Sequence, residues 1–450
     1  MTSITLRFPE QLGRRDLQRR NDYKANLAFY EGKQWPTGSR RNERRLTLNY
    51  VDIIIQRAAA LLLQNNKLLI DQTAEVSDVQ AAHAEQLILD VASHNQLAAL
   101  DYETEVDCSV LGDAAYKVTW DQDTAQVRIT SPDVHGLWAW WRQDNSGHLL
   151  QVAQQYTLDA EQIQDLFDVT PAKPTATVTE RWTSEILELW LNDQVMDTQA
   201  NAYGFVPYVI FPNQRRPKQF WGQSDIPIIQ DTAKELNREL STLSAIMELS
   251  GNPIAALSGV TGSKDIAIAP GAIWNLPEGA NASILDLLSK GGVRVHLDYL
   301  GAIYRTLHDL AETPRSAFGD LGRSISGVAM ELDMAPLVQK INRKRAHRAV
   351  AYQRRAALAL KLLAQNGKTP DLDYRPRVQW GTILPADRTR LVADEVSLVG
   401  AGIHARSTAA DAFGVQDPEK EFAAWLQEQT HIEQNSAQRS ETNGRQPAAK

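Results

Sequence analysis

The chain reads as an α+β protein, mainly helical, and three patterns predict that class. Ile229, Ala233, Leu236, Leu240, Leu243 and Met247 recur in steps of three and four, one narrow apolar seam of a helix. A second, basic helix is predicted over about Leu337–Gln365, where no acid occurs between Asp333 and Asp371. Between residues 111 and 215 apolar and polar residues alternate around short turns, the period of half-buried strands.

Taken in order, residues 1–110 predict helices. An Arg-rich helix ends near Gly32, a second spans Asn49–Asn65, and a third lies near Ser77–Gln96. Ala115–Trp120 and Ala125–Thr130 flank the turn Asp121–Thr124 as one hairpin. Ile186–Leu191 and Gln194–Thr198 flank Asn192-Asp193 as another. Trp138, Trp140, Trp141, Trp182 and Trp190 concentrate in this region and read as core or interface anchors rather than ligand stackers. The seam helix starts after Gly222–Pro227, where Ser224 or Asp225 can cap it, and stops at Gly251-Asn252-Pro253. A β-rich excursion follows. Next comes a helix carrying Leu300, Ile303, Leu307 and Leu310 that ends at Thr313-Pro314. Seams this narrow are expected to pack on neighbouring copies of the chain.

The basic helix carries an apolar line of Met334, Val338, Ile341, Ala349, Tyr352, Ala356, Leu360 and Leu363. Lys340, Arg343, Lys344, Arg348, Arg354, Arg355 and Lys361 are assigned to its opposite side. At 1.5 Å per residue it is roughly 43 Å long. Arg345 interrupts the apolar line. A buried guanidinium needs a carboxylate or several carbonyls, and an acid partner is expected from residues 46–139 or an adjacent subunit. Residues 380–433 read as helical, Asp411–Leu426 most clearly, and the polar stretch from Glu433 to Lys450 as disordered. No internal repeat is found.

Net charge is −8, but it is segregated. Met1–Arg45 holds 11 basic and 5 acidic residues, whereas Leu46–Ala139 holds 4 and 14. That balance speaks against a sequence-specific DNA grip, which needs a basic surplus. On composition alone, keeping a cytoplasmic protein soluble is the favoured explanation of −8, ahead of an acidic wall that lets DNA slide past. No run of about 18 apolar residues exists to span a membrane, and MTSITLRFPEQLGRR lacks the apolar core of a signal peptide. Cys108, the single cysteine, reads as a small buried hydrophobe. Catalytic motifs fail: Gly367-Lys368-Thr369 is preceded by Leu362 where a phosphate-binding loop needs glycine, and Gly259–Lys264 is too short for that loop. The nine histidines are scattered, and the pairs Asp121/Asp123 and Asp371/Asp373 sit in turns, where carboxylates serve backbone N–H groups. No catalytic, cofactor or metal residues are assigned.

The order of several short motifs resembles the portal proteins of tailed bacteriophages. They are Tyr30-Glu31-Gly32, Asn49-Tyr50, Gly204-Phe205-Val206-Pro207-Tyr208, Phe211-Pro212-Asn213 and Gly222-Gln223-Ser224-Asp225. After these come the helix holding Asp231, Leu236 and Asn237, then Gly251-Asn252-Pro253, and last Ser326-Gly327-Val328-Ala329. The resemblance covers about residues 20–400. It implies a wing over 1–224, resumed by the long helix and its return over 328–384. It also implies stem helices over 225–250 and 291–312, a clip over 251–290, a tunnel loop over 313–327 and a crown over 385–433; the polar composition alone marks 434–450 as a tail. The resemblance further implies a virion component: a homo-oligomeric ring, usually of twelve subunits, at one capsid vertex. Duplex DNA would pass the ring without sequence preference. The partners implied are the terminase large subunit, major capsid and scaffold proteins, and adaptor or head-completion proteins, with no cofactor and no membrane. Arg315, Arg323 and Ser324 become candidates for DNA contact in the tunnel loop. Ile254, Leu257, Val260, Ile273 and Trp274 become clip interface candidates, and Arg345 an assembly residue. The competing reading is a nucleic-acid-acting enzyme or packaging motor subunit.

Overall fold

A computed structural model describes residues 8–35, 45–64, 66–144, 147–169, 173–251, 254–258, 278–279, 281–285, 292–319, 327–384, 388–415 and 417–443. Contacts divide the chain into two units, Met1–Ile383 and Leu384–Lys450. Helix outweighs strand, as the sequence predicts.

The first unit opens with α1 (Phe8–Arg14), α2 (Leu17–Tyr30) and α3 (Tyr50–Leu62). After strand β1 (Asn66–Asp71) come α4 (Asp78–His94) and α5 (Leu97–Leu111). Ser77 starts α4 with a capping box: its hydroxyl accepts from the Gln80 N–H while Gln80 returns to the Ser77 N–H.

Strand β2 (Asp113–Asp121) lies between β3 (Gln126–Thr130) and β9 (Tyr208–Pro212), with all pairs antiparallel. Its alternation decides the packing. Ala114, Tyr116 and Val118 enter one core, and Ala115 enters another. A five-stranded antiparallel sheet runs in order through β4 (Leu137–Trp141), β5 (Leu149–Asp159), β6 (Thr175–Thr183), β7 (Ile186–Leu191) and β8 (Gln194–Ala200). Both predicted hairpins are therefore present. Helix α6 (Ala160–Phe167), which the sequence reading omits, is capped by Asp159 and buries Ile163 against this sheet. Trp138 and Trp182 are buried, as anchors should be.

A two-residue pair, β10 (Gln214–Arg215) with β11 (Gly222–Gln223), leads into α7 (Ile226–Gly251). Strands β12 (Ile254–Ser258) and β13 (Asn281–Leu285) pair antiparallel, and α8 (Gly292–Leu310) returns alongside α7. Helix α9 (Gly327–Gln365) has 39 residues, about 58 Å of helix, longer than the sequence suggests. It begins before Leu337 and carries Pro336 inside. β14 (Arg375–Trp380) then pairs with β1.

One expectation is overturned here. The start of the α7 seam is buried within the chain: Ile226, Ile229, Ala233 and Leu236 pack with Ile303 and Leu307 of α8 and with Phe29, Val51, Ile54 and Ile55 of α2 and α3. Only the far end, with Met247 54% exposed, is left for another surface. A seam shows that a face is covered without showing which chain covers it.

The second unit contains α10 (Arg388–Gly400), α11 (Arg406–Ala412) and α12 (Pro418–Asn443). The predicted Asp411–Leu426 helix is interrupted, because the αL turn at Gly414 (φ 80°) separates α11 from α12. The polar stretch from Glu433 is helical as far as Asn443.

Candidate functional site

Helices α5, α7 and α9 meet in a buried set of charges, and that set holds the start of the α7–α8 pair. On α5, Asp101, Glu105 and Ser109 are four residues apart and share one face. On α9, Lys340, Lys344 and Arg348 repeat the same spacing. Arg348 is 0% exposed. Its Nε and Nη2 donate to the two Glu105 oxygens at 2.6 and 2.9 Å. Its Nη1 donates to the Pro212 and Asn213 carbonyls at 2.8 and 3.0 Å, and Nη2 also reaches Asn213 Oδ1 at 2.9 Å. Lys344 Nζ donates to Ser109 Oγ at 2.7 Å and lies 2.8 Å from Asp225 Oδ2. Farther along α9, Arg355 Nη2 pairs with Asp101 at 3.0 Å, and the Tyr116 hydroxyl donates to the same carboxylate at 2.7 Å.

Asp225 joins α7 to this set. Its Oδ1 accepts from Asn213 Nδ2 at 2.8 Å and Gln214 Nε2 at 3.0 Å. Burial alone would raise its pKa, but Lys340 and Lys344 reverse that and hold the carboxyl well below the usual carboxylate range. Of the two capping candidates, Ser224 serves the helix start: its oxygen accepts from the Ile226 N–H at 3.0 Å and its hydroxyl donates to the Ser109 carbonyl at 3.1 Å. Asp225 is committed to the lysines.

This arrangement corrects the basic-side assignment. Lys340, Lys344, Arg348 and Arg355 are buried, whereas Arg343, Arg354 and Lys361 are exposed. The acidic 46–139 region does supply partners, but to Arg348 and Arg355 rather than to Arg345. Arg345 has no acid partner among the described residues. Its Nε donates to the Leu62 carbonyl at 3.0 Å and Nη1 to the Gly381 carbonyl at 2.7 Å. Nη2 approaches the Leu61 and Gln64 carbonyls at 3.4 and 3.3 Å, and the Trp380 ring lies 4.9 Å from the guanidinium carbon. Arg345 thus caps the C-terminus of α3, where carbonyls lack helical partners and the dipole favours a cation. Arg345→Ala is expected to cost about 2 kcal/mol by thermal denaturation, since carbonyls near a surface regain water whereas a stranded carboxylate does not. A cost equal to that of Arg348→Ala would contradict this role.

Asp113 fixes the approach to α7 from the other side. Its carboxylate accepts from the Tyr23 hydroxyl and from the Gly222 N–H at 2.7 Å. Burial pushes it from 3.8 up to about 6, against those two hydrogen bonds. The folded state favours the neutral acid, so this contribution to stability is present below pH 3.8 and lost as the pH rises to about 6. The melting difference between wild type and Asp113→Asn should move in the variant's favour across that window and level off above it.

The α7–α8 pair is tied along its length. Tyr299 donates to Glu235 at 3.0 Å, and His296 meets Glu239. The segment 46–48 that leads into α3 is pinned to α7, with Leu46 and Leu48 N–H groups donating to Ser241 and Asn237, both at 2.9 Å. Beyond α8, the His308 ring binds the Thr313 carbonyl at 2.7 Å, and Arg315 lies over Tyr304 at 5.0 Å. Arg315 is therefore exposed but stacked on α8. Arg323 and Ser324 lie outside the described residues, as do Val260, Ile273 and Trp274. Ile254 and Leu257 are described only as backbone, opposite Leu285 and Ala282.

A family model described as "Phage portal protein, SPP1 Gp6-like" matches residues 10–435 of the 450. The chain belongs to this phage portal protein family. No curated protein matches it. As a phage portal protein it is a capsid component that serves DNA packaging, and its family is structural rather than enzymatic. Asp121 sits in the turn that the sequence predicts, where its carboxylate accepts from the Asp123 N–H at 3.0 Å. Among the described residues no helix is long and apolar enough to cross a membrane.

The portal's buried charges are what sequence reasoning missed. One signal was available. Two helices with opposite charges repeating every four residues, one of them acid-free from Met334 to its end, call for each other.

Proposed function

We propose that the chain is one subunit of a portal ring, usually of twelve copies, through which duplex DNA enters and leaves the capsid at one vertex. The family match over residues 10–435 carries this reading. In it, α7 and α8 form the stem, residues 251–290 the clip, 313–327 the tunnel loop, and 385–433 the crown. The wing is 1–224 together with 328–384, and 434–450 is the tail. The terminase large subunit docks at the clip, and adaptor or head-completion proteins later take the same end. Major capsid and scaffold proteins surround the ring. Ile254, Leu257, Val260, Ile273 and Trp274 are the residues assigned to contacts at the clip; Arg315, Arg323 and Ser324 are those assigned to passing phosphate. Support for lateral packing comes from Val295, 69% exposed on α8, and from Met247 on α7: apolar side chains that a neighbouring copy would cover.

Mass measurement on the purified particle tests the reading. A closed ring near twelve chains is expected, whereas a monomer or dimer with nucleotide turnover would overturn it in favour of a motor or other enzyme. A net charge of −8, repeated in every copy, predicts that the ring binds free duplex weakly and without sequence preference at physiological salt. An anisotropy titration giving a nanomolar, sequence-dependent complex would sink the conduit.

A further inference from the structure

A cavity of about 270 Å³ opens beside the β10–β11 pair. Its wall is aromatic: Trp141 stacks on Phe220 with centroids 4.1 Å apart, and Trp221 stands edge-on to both. Its rim is cationic, with Arg142, Arg215 and Lys218 all exposed. These three side chains make no ion pair among the described residues. Elsewhere in this unit, cations as exposed as Lys33, Arg343 and Arg377 have found carboxylates. The positive potential is felt nearby: burial first and then Arg215 lower the pKa of Arg354 on α9. Lys218 also holds a left-handed backbone, φ 61°, at the lip of the cavity. Such strain in a non-glycine residue often accompanies a functional position.

Arginine and lysine are donors only, so this rim asks for acceptors that carry negative charge. The wall asks for an apolar body. Duplex DNA offers the first but not the second, since its phosphates lie outside a rigid rod and its bases are paired within. Single-stranded nucleic acid needs open aromatic faces. Here Phe220 takes one face of Trp141, and the Arg19 guanidinium lies over Trp221 at 3.8 Å. A peptide with carboxylates on either side of a large apolar residue offers both features in a volume that suits one or two side chains. Aromatic and arginine side chains around a small pocket are also the composition that carries binding energy at protein interfaces.

We propose that this cavity docks an acidic peptide segment of another protein, with carboxylates paired to Arg142, Arg215 and Lys218 and an apolar side chain set against Trp141, Phe220 and Trp221. The proposal goes beyond the ring and rests on the cavity alone.

The test uses the intact particle and a fluorescein-labelled peptide, Glu-Asp-Trp-Asp-Glu with blocked ends. Its neutral isostere, Gln-Asn-Trp-Asn-Gln, is the control. Fluorescence anisotropy should show saturable binding of the acidic peptide and at least about tenfold weaker binding of the isostere. The pair Arg215→Gln with Lys218→Gly should weaken the acidic peptide by about tenfold or more. Both positions are exposed, and glycine relieves the φ of 61°, so melting should be unchanged or higher. No saturable binding, equal binding of the isostere, or wild-type affinity in the double variant would each overturn the proposal. So would tighter binding of single-stranded oligothymidylate that is lost in the same variant, which would make the site one for nucleic acid.

Discussion

Arg348→Ala is expected to be the most damaging single charge removal in this chain. The guanidinium is fully buried, and its donors reach one carboxylate, two backbone carbonyls and one side-chain amide. Truncation leaves Glu105, itself 2% exposed, with only Lys344 at 3.6 Å and the Ser109 hydroxyl nearby. Breaking a buried pair from one side costs about 3–5 kcal/mol, because the surviving charge keeps its desolvation penalty and loses its partner. Loss of the long side chain adds a void where α5, α9 and the end of β9 meet. The melting temperature should fall clearly and the yield of assembled particles with it. Arg343→Ala is the comparison. Arg343, on the same helix as Arg348, pairs with Glu312 just past α8 at 2.7 Å, but their side chains are 56% and 40% exposed, so the change should be within about 0.5 kcal/mol. A second test separates pairing from packing. Arg348→Met combined with Glu105→Leu should recover much of the loss, since no uncompensated charge remains. If Arg348→Ala and Arg343→Ala were equally mild, the buried network would not stabilise the unit.

The contrast between these two arginines marks the limit of what was legible in the sequence. Local patterns were read well. The seam of α7, the Ser77 start of α4, and the turns at Asp121–Thr124 and Asn192-Asp193 all rest on residues within a few positions of one another, and all are present. The same local logic placed Lys340, Lys344 and Arg348 on an outer face, because a helical period sorts residues only as apolar or polar. A long helix crossed by α5, β9 and the start of α7 is covered on more than its apolar line. Its buried cations find Glu105 and Asp225 from segments more than 100 residues away, which no period reveals. Arg345 was a partial success: its interruption of the apolar line correctly signalled a buried guanidinium that needed acceptors. The acceptors are carbonyls at the end of α3, and backbone groups carry no signature in a sequence. The α7 seam was likewise real but misassigned to a neighbouring copy, since α2 and α3 arrive from some 200 residues upstream to cover it.

Gly112→Ala should act on the same junction through the backbone alone. Gly112 ends α5 with φ 109°, a region that side chains rarely adopt. A Cβ there would sit 2.8 Å from the Ser224 nitrogen and 3.0 Å from the Gln223 carbonyl carbon, both backbone atoms. On the facing strand, a Cβ on Gly222 would lie 2.4 Å from the Gly112 oxygen. The two segments therefore cross with main chain against main chain, and the crossing sets where α7 begins. It also sets the hydrogen bond from the Asp225 N–H to the Ser109 carbonyl at 3.0 Å, and with it the reach of Asp225 to Lys344. The left-handed φ costs about 1 kcal/mol for alanine, and relieving the clash must push Ser224 away from α5. A total near 3 kcal/mol or more is expected, with a lower urea midpoint and fewer assembled particles. Gly204→Ala isolates the first contribution. Gly204 has φ 70° with nothing within 4 Å of its would-be Cβ, so its cost should stay near about 1 kcal/mol. Equal midpoints for the two variants would mean that the crossing relaxes freely, and that the start of α7 is held by the charges of Asp225, Lys340 and Lys344 and not by the fit of Gly112 against Ser224.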